Sequence, residues 1–196
     1  MFTKKSALIA LALAFFSSTA GAAVISNSAT GLTDPDITIG FDEVVLATGD
    51  NVTDQFAAFG VTFDPGVTYF NTVSPRPNFS GAAVIDFFGP AVSILFAEDV
   101  TEMVMNMSQN FGMTTFTSLL DGIVVESFTS TLDLTANNFY GFTNSLFDEV
   151  IVDPSGSSSV AMDNLSYSVA VPIPGTLSLF LGALGLLALS ARRRVN

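Results

Sequence analysis

From residue 24 to about residue 170 pattern counts favour strands, the clearest windows alternating with a period of two, and no window carries a helical stripe, so this stretch is read as strands throughout. Glu102 to Ser108 sets Met103, Met105 and Met107 against Val104, Asn106 and Ser108, and Ile37 to Phe41 alternates the same way. Val92 to Phe96 is a short apolar run entered through Pro90. The runs Thr114 to Leu120 and Ile123 to Thr129 are joined by Asp121-Gly122, a pair that suits a tight hairpin because both central positions of that turn need positive φ. Further runs at Val61 to Phe63, Ala82 to Phe87, Phe139 to Phe142, Glu149 to Val152 and Val160 to Val169 bring the expectation to about nine or ten strands, punctuated by Gly, Pro, Asn, Asp and Ser. The predicted fold is all-β, an antiparallel β-sandwich of the jelly-roll kind.

Composition fills in the core and removes several chemistries. The chain has 196 residues, one domain's worth, and its 19 phenylalanines are expected between the two sheets. It has no Cys, His or Trp, which excludes a disulfide framework, a Ser-His-Asp triad, a Cys-His nucleophile and a structural zinc site. All 18 acids lie between Asp34 and Asp163, where the one base is Arg76, so the interior carries a net charge of −17. A surface of that sign excludes nucleic acid as a partner and points to cations or neutral surfaces.

The five remaining bases sit at the ends, beside apolar runs. Lys4-Lys5 precede Ala7 to Phe16, and Ala20-Gly21-Ala22 follows, which is the layout of a secretory signal peptide over residues 1–22 with cleavage after Ala22 by signal peptidase. At the other end Val171-Pro172-Ile173-Pro174-Gly175-Thr176 leads into the apolar segment Leu177 to Ala191 and then Arg192, Arg193 and Arg194. That segment is just long enough to cross a bilayer with thinning or snorkelling, and the arginines predict a cytoplasmic C-terminus with the acidic domain outside. Gly182 and Gly185 give the helix a small-residue face.

Motif, helix and terminal arginines in this order resemble the PEP-CTERM sorting signal of exopolysaccharide-producing Gram-negative bacteria, a signal found also on some ice-binding proteins. The resemblance covers residues 171–196, with Ile173 where the family has Glu. It implies an inner-membrane precursor processed by an exosortase, a membrane-embedded cysteine peptidase; an uncut tail anchor is the alternative. Phe41-Asp42-Glu43, Thr53 to Ala57, Gly60 to Phe63 and Ala161 to Tyr167 resemble the jelly-roll domains of exported PEP-CTERM proteins and, distantly, MAM-type domains. That likeness implies no defined enzymatic activity.

The acids supply the candidate site. If Ile37, Ile39 and Phe41 face the core, period two puts Glu43 on that face, and Asp163 shares a face with Leu165, Tyr167 and Val169. Inward carboxylates without basic partners suit an oxygen-coordinated ion, so Asp42, Glu43 and Asp163 are candidate ligands of a structural Ca²⁺. The alternative has Asp163 capping a turn and Glu43 solvated. Tyr69, Phe70 and Tyr140 are candidate sugar platforms in loops. Asn51, Asn78, Asn106 and Asn164 match the glycosylation sequon, which the bacterial reading of both ends makes irrelevant. The expected function is a non-enzymatic adhesion or polysaccharide-associated module of residues 23–170, working at the cell surface or in the exopolysaccharide matrix. A surface glycoside hydrolase and an ice-binding protein, which needs a flat Thr-rich face, are the alternatives.

Overall fold

The computed structural model describes residues 22–71, 76–79, 84–87, 89–108, 112–132, 134–154 and 160–171. These form an all-β body whose one helical piece is the 3-10 turn Ala57–Phe59. The strands are β1 (Ala23–Ser28), β2 (Ile37–Ile39), β3 (Val61–Phe63), β4 (Val67–Phe70), β5 (Val84–Phe87), β6 (Val92–Ser108), β7 (Met113–Leu120), β8 (Ile123–Thr131), β9 (Phe139–Thr143), β10 (Phe147–Asp153) and β11 (Val160–Val169). Pairing is antiparallel throughout.

The long strand β6 organises the body. Its first part pairs with β3 and β10, its second part with β9 and β11. Between them Ala97, Glu98 and Asp99 are exposed and the register to β10 shifts, so one strand turns a corner and serves two wings. The first wing is β3, β6, β10, β7 and β8; the second is β1, β9, β6 and β11, continued by β2 and by β5 with β4. The apparent two strands at Val92 to Phe96 and Glu102 to Ser108 are therefore one.

Aromatic rings close the wings on each other. Phe116 of β7 stacks on Tyr140 of β9 with centroids 5.6 Å apart. Phe128 and Phe147 meet Phe142 at 5.3 and 5.9 Å, and Phe96 meets Tyr167 at 5.0 Å. Met103, Met105 and Met107 are fully buried in the same core. Tyr69 and Tyr140, expected as loop platforms, are core residues of β4 and β9, and Phe70 is a strand residue.

Asp121 and Gly122 take φ of 51° and 76°, as the β7–β8 hairpin requires. Strands β1 and β4 had no expected counterpart. Residues 1–21 of the expected signal peptide, Ala20 included, and residues 172–196, with Pro172 to Thr176, the expected 177–191 helix and Arg192 to Arg194, lie outside the described residues. Among the described residues no helix is long and apolar enough to cross a membrane.

Candidate functional site

Two local breaks in the strand pattern decide where the candidate acids point. After Ile39 the chain leaves β2, and Phe41 adopts φ of 61° while remaining fully buried, its ring edge-on to Phe56 at 5.1 Å. The turn is closed by Glu43, whose Oε1 accepts the Gly40 N–H at 2.7 Å. Glu43 is therefore exposed, as is Asp42, and the expected core-facing carboxylate is corrected to a solvent-side turn residue.

In β11 the break is Asn164, at φ of 48°, where the register to β6 shifts between Asp163 and Ser166. The extra residue of this bulge reverses the alternation. Leu165 and Tyr167 enter the core, whereas Asp163 lies on the opposite side of the sheet, correcting the expectation that the three share a face. Asp163 is nevertheless completely buried, and its Oδ1 accepts the Asn164 N–H at 2.7 Å. Among the described residues no three acidic side chains gather, so Asp42, Glu43 and Asp163 do not form the expected ligand set.

What surrounds Asp163 is a cluster of asparagines. Asn138 Oδ1 accepts from Asn78 Nδ2 at 2.8 Å and from Asn106 Nδ2 at 3.2 Å, and Asn138 Nδ2 donates to the Pro77 carbonyl at 2.8 Å. Asn164 Nδ2 donates to Asn106 Oδ1 at 3.1 Å and to the Asn78 carbonyl at 2.8 Å. Asn106 and Asn138 are wholly buried. The segment 76–79 and the approach to β9 thus roof the outer face of the second wing, and the hydrogen bonds make that burial tolerable. Three of these residues, Asn78, Asn106 and Asn164, stood out in the sequence as sequon matches, which gave no sign that they meet.

A separate cavity of about 160 Å³ lies near the β6 corner, lined by Ile37, Gly60, Phe96, Glu98, Tyr167 and Val169. A more open groove of about 390 Å³ adjoins it at Glu98 and is bounded by Asp99, Leu146, Ala170 and Val171. The smaller cavity is below the size of ordinary ligand pockets. The Tyr167 hydroxyl donates to the Phe59 carbonyl, and a Cβ on Gly60 would sit 2.8 Å from that hydroxyl.

Burial, then the charge of Glu98, push the Tyr167 hydroxyl above its usual 10.0. A raised pKa means that the folded state holds the proton more tightly, so the contribution is complete below pH 10 and is lost as pH rises through the folded value. Denaturant midpoints should accordingly fall above pH 10, and Tyr167→Phe should flatten the fall; an unchanged alkaline slope in that variant would remove Tyr167 as its source.

On the outer face of the first wing Thr115 and Thr117 bond Thr129 and Ser127, each at 2.9 Å, so these hydroxyls partner one another across β7 and β8.

No protein-family model matches the chain. No curated protein matches it either. Among solved structures, the enzymatically active domain of bacteriophage CBA120 tailspike protein 4 is similar at 14% identity and a TM-score of 0.33, over 63% of this chain and 21% of that one. The chain thus spans about a fifth of that structure, and a likeness at this level carries no argument about activity.

Proposed function

We propose that the chain is the precursor of an exported envelope protein of a Gram-negative bacterium. Residues 1–22 form a signal peptide, and residues 23–170 a β-sandwich of the jelly-roll kind. Residues 171–196 are a PEP-CTERM-like sorting signal that holds the precursor in the inner membrane until an exosortase-type peptidase acts. The released module works at the cell surface or in the extracellular polysaccharide matrix by adhesion, without catalysis. The non-consecutive neighbours β11–β6, β6–β10 and β5–β11 suit a jelly roll better than a meander.

The observation that supports this reading is the agreement of two kinds of boundary. Strand β1 starts at Ala23, directly after the expected cut, and pairs with β9 from its first residue. Strand β11 ends at Val169, and Val171, the first residue of the sorting motif, is 85% exposed. The first and last described strands thus begin and end beside the two expected processing points, which is the agreement that supports the reading.

The full chain produced in an exosortase-carrying host tests the proposal. Mature protein recovered from the envelope should begin at Ala23, and recovery of Met1 would overturn export by this route. A truncation ending at Ala170 should leave the membrane fraction, and Glu in place of Arg192 to Arg194 should impair orientation or retention. If the truncated chain sediments with membranes as the full chain does, the anchor is wrong. Co-sedimentation with exopolysaccharide reads adhesion, whereas release of reducing sugar would indicate a hydrolase.

A further inference from the structure

We propose that the outer face of the second wing holds a divalent-cation site for calcium, built on Asp86, Asp163 and Ser108. Asp86 pairs with Ala161, Ala161 with Ser108, and Asp163 with Asn106. Directly paired residues of an antiparallel sheet project to one side, as do residues two apart in a strand. Asp86, Ala161, Ser108, Asp163 and Asn106 therefore share a face, while Ile85, Met107 and Met162 fill the core on the other. Asp163 is the diagonal neighbour of both Asp86 and Ser108, at about 7 to 8 Å between backbones, and the small, buried Ala161 side chain lies between Asp86 and Ser108.

A second observation points to a ligand. The Ser108 side chain is 1% exposed, and its hydroxyl has no hydrogen-bond partner among the described residues. A buried hydroxyl left unmatched is costly, which marks a place where something else supplies the interaction. It shares this face with Asp163, itself fully buried. Arg76, the one base between residues 23 and 170, lies over the Phe79 ring at 5.7 Å.

The donors are all oxygen, since the chain has no His or Cys. Carboxylates supplemented by neutral oxygens suit calcium, which accepts six to eight oxygens in flexible geometry. Two carboxylates would give affinity of order 10⁻⁴ to 10⁻³ M, the range of extracellular modules. Such an ion would join β5, β6 and β11. The site is distinct from Asp42 and Glu43, and it does not depend on the sorting signal.

The test uses the full chain in mild detergent, melted in millimolar calcium and in chelator at matched ionic strength. Calcium should raise the melting temperature by about 2 to 4 °C. Asp86→Asn and Asp163→Asn should lose the shift, whereas Asp42→Asn and Glu43→Gln should keep it. Ser108→Ala should melt higher than wild type in chelator and gain less from calcium. Coincident wild-type curves, or a full shift in Asp86→Asn, would overturn the site. Should Asp163→Asn fail to fold, Asp86→Asn and Ser108→Ala decide the matter.

Discussion

Gly141→Ala is expected to cost about 3 to 5 kcal/mol, a large part of the stability of a domain of this size. Gly141 sits in β9 between Ile25 of β1 and Val104 of β6. A Cβ there would overlap the Met103 carbonyl oxygen and lie 2.8 Å from its carbon and from the Val104 Cα. Those atoms are backbone of the strand that joins the wings, so relief requires β9 to move off β6 and take Tyr140 and Phe142 with it. Gly122, at φ of 76° with open space around it, is the control: Gly122→Ala should cost only about 1 kcal/mol, from the strained turn. Equal denaturation midpoints for the two variants would show that the β6–β9 approach is not tight.

Asn138→Ala should destabilise the body by about 3 kcal/mol, with the loss read in chemical denaturation. Its side chain is acceptor for Asn78 and Asn106 and donor to Pro77, while its carbonyl accepts the Met107 N–H at 2.9 Å. Truncation leaves the buried Asn106 amide and the Pro77 carbonyl short of partners, and a half-satisfied network is worse than an apolar one. The neighbouring exposed Asn137, whose N–H donates to Thr135 Oγ1, should tolerate alanine within about 0.5 kcal/mol. A similar small effect at Asn138 would mean that water replaces the lost bonds and the roof is not closed.

Much of the site was hidden in plain residues. The alternation of Met103, Met105 and Met107 with Asn106 and Ser108 is visible in the sequence, and it places the methionines in the core. A polar residue on the other side of a strand ordinarily meets solvent, yet Asn106 is 0% and Ser108 1% exposed. Among the described residues, the segment carrying Asn78 and the residues before β9 cover them, and both come from far along the chain. Asp86 had no signal at all, because its place beside Asp163 is a matter of how β5 pairs with β11.

The sequence by itself determined the all-β character, the hairpin at Asp121-Gly122 and the aromatic core. Period two, positive-φ turn residues and apolar surface act within a few residues of chain. Tertiary structure decided that β6 serves both wings, that β1 and β4 are strands, and that Glu43 turns outward while Asp163 lies beneath the asparagine roof. Each of these depends on a register or a bulge, and a single inserted residue such as Asn164 reverses every side chain that follows it.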